Sequence, residues 1–540
     1  MLVVAALAVY AVRAAAWPLG IGRDLDEYLY AWIQLFDGDP VLPWSLLFRT
    51  PVTPVVVGPL LDLGGGALAE PFMAVLYALS ILAWCAAARA FGPRTAIAVA
   101  VALLAYPGYG AVFHVLSSEP LFAASFSLWA LAVVRAASFP SYGRFAVVGL
   151  VTALVALVRP GNVVLVAIAL LPLALRMPWW RRVGLAGATV LVALLPLGVW
   201  AAHNGIRYDE WAVARGGNAV FPFYRALLED RIVSPDHGNA SRRLADAVEQ
   251  HLLTREPYRS YGITLDDVFT RATARVHEDM YILSDEVFGW DTDYSLLRDA
   301  ALEGVRAEPG TFARGVLRTI WIQLSEPYYV GTGAGGQPSK AAAGSGTVVV
   351  EGRKLPRPSE GQLIPGGQNL WILRPDNAIR QVWTSPTRFR FTFADPSLEP
   401  RFREIVRERA ALMAAFPDRD GNASLARRLD QVSRWYPRAV LLIALGLVAI
   451  AVRRTRGSLT LIAVALGALA VVSTNALGLL ADRDFMIPVA PAFVLFGLGG
   501  LLGRRGAPSR RSRRSRRRRA RRRDHPPRRR RRGRRGRARH

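Results

Sequence analysis

Residues 22–61 read GRDLDEYLYAWIQLFDGDPVLPWSLLFRTPVTPVVVGPLL and hold carboxylates at Asp24, Asp26 and Glu27, with a guanidinium at Arg49. A positioned carboxylate can take a proton from a hydroxyl as a general base. A guanidinium can bind two oxygens of a phosphate at once and receive the charge of a departing phosphate. Read as a helix with Asp24 as N-cap, the segment puts Leu25, Leu29, Trp32 and Phe36 on one face. That face would lie at a membrane surface and hold the acids just above the hydrocarbon. Asp26 and Glu27 are adjacent, so they point about 100° apart and serve different atoms. One can face a reaction centre while its neighbour orients or binds a cation. A solvated acidic helix start is the plain alternative.

Further candidates are scattered along the chain, each with a plain reading beside it. Glu119 precedes Pro120 at a helix start, where a carboxylate either favours the helix dipole or holds an acceptor or cation. Arg49 either binds phosphate or only reaches to the interface, and Arg483 either does the same or pairs with Asp482 or Asp484. His114 reads as structural or as a cavity residue. Arg159 either contacts a donor phosphate or marks a short turn. Asn218, in Arg215-Gly-Gly-Asn218, is placed to line a cavity mouth or to sit in a loop. Glycines 64–66 lack the Lys and Ser/Thr of a nucleotide-phosphate loop.

The elements that must position these residues are membrane spans. The chain has 540 residues, 52% of them hydrophobic, and the apolar residues are clustered in windows before position 202 and after position 437. Such clustering excludes a soluble enzyme. The lone Cys85 excludes an intrachain disulfide and a cysteine-built metal centre. About ten spans are expected, near 2–19, 69–90, 94–110, 119–135, 144–158, 161–176, 183–202, 437–452, 458–480 and 485–503. Span one ends in Ala-Trp-Pro-Leu with further spans after it, so it reads as an anchor and not a cleaved leader. Short connections after the even-numbered spans carry ten arginines, among them Arg135, Arg144, Arg181, Arg182, Arg454 and Arg456. The opposite connections carry Arg23, Arg49, Arg159 and Arg483. The positive-inside rule then makes both termini cytoplasmic and puts loops 20–68, 109–118, 203–436 and 481–484 outside.

The expected architecture is an all-α polytopic membrane protein: a seven-span module 1–202 including outer loop 20–68, a mainly α extracytoplasmic domain 203–436, three spans in 437–503 and a tail 504–540. Helical patterning covers Ser241 to Leu253 and Tyr294 to Leu324, broken at 308–310. Residues 311–324 put Phe312, Val316, Ile320 and Leu324 on one face, which suits an interfacial helix or a core-facing one equally. Residues 331–346 read as a flexible linker. The tail holds 22 Arg against one Asp. It cannot bury a core and is expected to be disordered, with anionic lipid headgroups as its partner and no specific nucleic acid.

Asp26, Glu27, Tyr30 and Ala31 soon after span one, Arg49 with Pro51 and Pro54 ahead of span two, Glu119 opening span four, and the run Arg483 to Pro491 near the last span occur in that order. Together they resemble membrane glycosyltransferases of the C-type fold (GT-C), the group of protein O-mannosyltransferases, the lipid A aminoarabinose transferase and the rhizobial galacturonic acid transferases. Glu119 stands where that group usually has Asp, and Asp484-Phe485 where Arg-Tyr is common. The resemblance implies a plasma-membrane enzyme that moves a sugar from a polyprenyl-phosphate donor to an extracytoplasmic acceptor hydroxyl with inversion. It implies catalytic roles for Asp26, Glu27 and Glu119, donor-phosphate binding by Arg49 and Arg483, and a cavity among Asp24, Tyr30, His114, Arg159 and Asn218. The acceptor would be a cell-envelope glycan, lipid or protein in a bacterium. No cofactor is demanded, although carboxylates could hold Mg²⁺ or Mn²⁺. The competing class is a transporter or flippase of lipid-linked sugars, which would bury ionisable residues at mid-membrane.

Overall fold

A computed structural model describes residues 1–326, 344–365, 378–416, 419–453, 455, 457–478 and 483–504. Five described helices are long and apolar enough to cross a bilayer: Val52–Arg89, Ser118–Ser138, Trp179–Tyr208, Ala423–Arg453 and Ser458–Gly478. That is the make-up of a multi-pass membrane protein. A sixth candidate is the bent pair Pro93–Leu104 and Pro107–His114, angled at 66°. Leu2–Ala14, Tyr142–Val158, Pro160–Ala174 and Met486–Leu502 are apolar but shorter. An apolar helix therefore stands at each of the ten segments read from the sequence, while length and composition qualify only five or six. Pro160–Ala174 is wound as a 3-10 helix of 15 residues. At roughly 2.0 Å per residue that winding reaches about 30 Å, where an α-helix of equal length would reach about 22 Å.

One charge within the spans is explained by its partners. Arg13 is buried in Leu2–Ala14, donates to the Tyr77 hydroxyl at 3.0 Å and to the Leu104 carbonyl at 2.6 Å. A buried cation without such acceptors would be strongly unfavourable.

The chain between Tyr208 and Ala439 is not all helical. Helices Asn239–Ala247, Ala274–Phe288, Ser295–Ala307 and Pro309–Ser325 surround a core of Val220, Phe223, Leu244, Val276, Met280 and Leu297. Two antiparallel hairpins follow, Gly344–Val350 with Arg353–Arg357 and Ile379–Ser385 with Arg388–Phe393. In Ile379–Ser385 burial alternates, with Ile379 and Gln381 inside and Arg380 and Val382 outside, the period of a strand. Of the linker read at 331–346, residues 344–346 instead open a strand, and the rest lie outside the described residues. Arg454, Arg456, Asp482 and the tail beyond Arg504 also lie outside them. The core of this insert includes Trp44 from the first loop, so the boundary at 203 does not separate two independent cores. In Pro309–Ser325, Ile320 and Leu324 pack on the spans and Phe312 on the insert, while Leu317 and Trp321 stay exposed.

Three devices fix the first loop. Gly20–Ile21 pairs in parallel with Val115–Leu116, so the loop after the first helix meets the residues that open Ser118–Ser138. Gly22 continues the pairing, donating its amide to the Leu116 carbonyl at 3.1 Å. The long helix Val52–Arg89 breaks at Gly65, whose φ of 53° and ψ of −143° separate an outer segment from the part that continues inward. At the break, Gly66 donates to the Ala415 carbonyl at 3.3 Å. Trp32 of the loop helix Leu25–Gln34 lies against Gly58 of the outer segment, where a Cβ would come within 2.1 Å of its ring. Phe36, expected on the membrane-facing side with Leu25, Leu29 and Trp32, lies past the helix end at Gln34 and is 81% exposed.

A Cβ on Gly22 would stand 2.5 Å from the Ser117 Cβ and 2.7 Å from the Leu116 carbonyl oxygen, with backbone on one side that cannot yield. Gly22→Val is expected to destabilise the protein by about 1–3 kcal/mol, the usual cost of overpacking. The check is the thermal unfolding midpoint of the detergent-purified protein, and an unchanged midpoint would mean that the parallel pair does not hold the loop.

Candidate functional site

The loop helix Leu25–Gln34 starts at Asp24, whose backbone is left-handed (φ 60°, ψ 15°) and whose side chain makes no cap. The carboxylate turns instead to Arg49, 3.3 Å from its Nη2. Glu27, one turn on, accepts from Arg49 Nε at 2.6 Å and also from Nη2. Arg49 lies 5.4 Å from the centre of the Tyr28 ring and 5.2 Å from that of Phe48. Phe48 in turn stacks on Trp44 at 5.0 Å and on Tyr281 at 6.3 Å. Thus two acids and two rings hold one edge of the guanidinium, and Nη1 has no hydrogen-bond partner among the described residues. Burial raises the Glu27 carboxyl to about 7 even though Arg49 lowers it; Asp24 and Asp26 add to the rise.

A second ion pair lies beside the first. Glu119 is the second residue of Ser118–Ser138 and accepts from Arg159 Nη2 at 2.7 Å. Arg159 Nε donates to the Ser118 hydroxyl at 3.2 Å. Ser117 accepts from the Glu119 amide at 3.3 Å and donates its own hydroxyl to the carboxylate. Glu119 thus sits in the first turn of its helix and pairs with Arg159. Arg159, read as a turn residue or a phosphate contact, pairs with Glu119. The buried Tyr28 connects the two pairs: burial raises its phenol, and charges at Arg49, Asp24, Glu119 and Arg159 all act on it.

Asp26 takes the other side of the loop helix, as its 100° offset from Glu27 requires. Its side chain is 41% exposed and its Oδ2 lies 3.8 Å from Arg409 Nη1. Tyr30, one turn on, places its ring 5.1 Å from the same guanidinium. The i, i+4 spacing of Asp26 and Tyr30 is thus the spacing needed to meet one cation.

His114 and Asn218 are not gathered here. His114 is 1% exposed and stacks on the Tyr10 ring at 4.2 Å. Asn218 is exposed, whereas its neighbour Arg215 is buried against Asp285 at 2.7 Å and over the Trp290 ring at 3.5 Å. Arg483 opens the 3-10 helix Arg483–Val489, which packs beside Ser118–Ser138, and its side chain lies outside the described residues. Among the described residues no group of three His, Cys, Asp or Glu side chains could hold a metal ion.

Sequence reasoning missed Tyr28, Glu278 and Arg409. Tyr28 was hidden inside the Asp-Glu-x-x-Tyr pattern. Glu278 comes from Ala274–Phe288 in the insert, half-buried, with Asp279, Glu27 and Asp24 near enough to repel it. Burial first, and then those acids, raise it to about 8. Arg409 is one of many arginines in 398–414, and nothing local distinguishes it.

Among solved structures, the chain is similar to ArnT from Cupriavidus metallidurans bound to undecaprenyl phosphate, at 15% identity and a TM-score of 0.32, over 93% of this chain and 77% of that one. No protein-family model and no curated protein matches the sequence.

Glu278 supplies a test of the electrostatics. Its folded pKa lies above the ordinary 4.5, so the folded state binds the proton more tightly and stability falls as pH rises from about 4.5 to 8. Glu278→Gln removes the cost of ionisation. It is expected to raise the unfolding midpoint by more at pH 8.5 than at pH 5, and an equal change at both would mean that folding does not raise the Glu278 carboxyl.

Proposed function

We propose that the protein is a membrane glycosyltransferase that moves a sugar from a polyprenyl-phosphate donor to an acceptor hydroxyl with inversion. In this reading the ten apolar helices all span, both termini are cytoplasmic, and the acidic loop and the insert face outward. The observation that carries it is Arg49, held along one edge by Asp24 and Glu27 with its Nη1 edge unpartnered among the described residues. A guanidinium fixed that way can accept phosphate oxygens without first being ordered, and pre-arranged charge is what a departing phosphate needs.

The acids then divide their work. Asp24 and Glu27 are committed to Arg49. Asp26 is the most exposed of the three and has no cation within hydrogen-bond distance, so it is the one able to receive a proton. It acts as the general base on the acceptor hydroxyl, which attacks the sugar carbon opposite the phosphate. Glu119 and Arg159 form the wall between this site and the spans, and Arg483 is a second candidate for the phosphate. The transporter alternative gains nothing from Arg13, whose charge is spent on Tyr77 and Leu104.

Purified protein is incubated with a panel of radiolabelled polyprenyl-phosphate sugars, and consumption of any one supports the reading. Asp26→Asn should lower turnover by roughly 10²–10⁴-fold, with membrane insertion and expression unchanged. Turnover at the wild-type level would remove Asp26 from the base role. Arg49→Gln should weaken binding of polyprenyl phosphate about tenfold or more, since a charge-assisted hydrogen bond contributes roughly 1.5–3 kcal/mol. Undiminished binding would put the phosphate elsewhere.

A further inference from the structure

The helix Leu398–Ala414 of the insert lies across the loop helix and is pinned at both ends. Near its start Arg401 pairs with Asp37 at 3.0 Å, and just past its end the Ala415 carbonyl accepts from Gly66 at the break in Val52–Arg89. Between these points Phe402 and Ile405 pack with Val41, Leu42 and Ile379. Arg409 is therefore delivered to a fixed place, over Tyr30 and opposite Asp26. Its side chain is 20% exposed, and its Nε is buried with no hydrogen-bond partner.

The two ion pairs of the loop helix differ in kind. Glu27 and Arg49 are in direct hydrogen-bond contact, whereas Asp26 Oδ2 and Arg409 Nη1 stand 3.8 Å apart. That gap is too long for a hydrogen bond, and one oxygen atom can lie about 2.8–3.0 Å from both ends at once.

We propose that the acceptor oxygen binds in this gap, and that Arg409 is a catalytic residue contributed by the insert. Asp26 takes the hydroxyl proton. The oxygen lone pair forms the bond to the sugar carbon, the bond from that carbon to the phosphate oxygen breaks, and its electrons leave with the lipid phosphate. Arg409 stabilises the negative charge that gathers on the attacking oxygen as the proton departs, while Arg49 receives the charge at the opposite end. The proposal rests on the glycosyltransferase reading and assigns to each arginine one of the two oxygens between which the sugar moves.

The test uses the full chain in detergent and the donor consumed in the radiolabelled panel, with water as acceptor, so no acceptor need be identified. Release of free sugar, affinity for polyprenyl phosphate and the unfolding midpoint are measured together. Arg409→Gln should lower turnover roughly 10²–10³-fold, the range for loss of one donor to a developing oxyanion, with lipid affinity and unfolding midpoint unchanged. Arg409→Lys should restore part of the loss. In an Asp26→Asn background the second change should cost less than twofold, because both groups act on one oxygen. Wild-type turnover in Arg409→Gln, no recovery with Lys, full additivity with Asp26→Asn, or a parallel fall in lipid affinity and unfolding midpoint would overturn the proposal. Asp26→Asn inactive beside an active Arg409→Gln sinks this inference and leaves the general reading standing. A wild-type protein that consumes no donor in the panel sinks both.

Discussion

Arg49 is held by Asp24 and Glu27 in a setting where each side chain is mostly removed from water, and the rest of the site is arranged around that contact. Removing one partner from such a pair typically costs about 3–5 kcal/mol, because the other charge stays buried without compensation. The pair is therefore a constraint as much as an attraction. It goes with a left-handed backbone at Asp24, fixes the rotation of the loop helix, and so turns Asp26 about 100° away from Arg49. Once Glu27 faces Arg49, helix geometry allows Asp26 no other direction than the one in which Arg409 is found.

Two pieces of chain distant in sequence hold the loop in this state. The parallel pair of Gly20–Ile21 with Val115–Leu116 sets its entry and brings Ser117 and Glu119 alongside. The insert sets its far side, with Trp44 built into the insert's core and Leu398–Ala414 lying over the loop helix. The insert is thus a wall of the site and not an appendage. Glu278 and Tyr281 on one of its helices and Arg409 on another reach the same short helix from different directions.

The acids compete for limited positive charge. Burial raises both Glu27 and Glu278, and the charge of Glu27 adds to the rise at Glu278. Beside Arg49, Glu119 and Arg159 close on each other and remain neutral as a pair.

Local pattern determined a good deal. Apolar windows located a helix at every expected segment, because burial in lipid or in a bundle leaves the same long apolar signal. The amphipathic reading of 24–36 gave the loop helix, and the adjacency of Asp26 and Glu27 gave their divergence, since helical rotation per residue is fixed. What only the tertiary structure decided were partners. Arg159, the junction between Tyr142–Val158 and Pro160–Ala174, met Glu119, His114 was stacked on Tyr10, and Arg409 emerged from an arginine-rich helix with nothing in its neighbours to mark it. The hairpins at 344–357 and 379–393 escaped notice because strands this short carry little periodic signal. Ion pairs between segments hundreds of residues apart depend on distances in space, and a one-dimensional pattern holds no record of those.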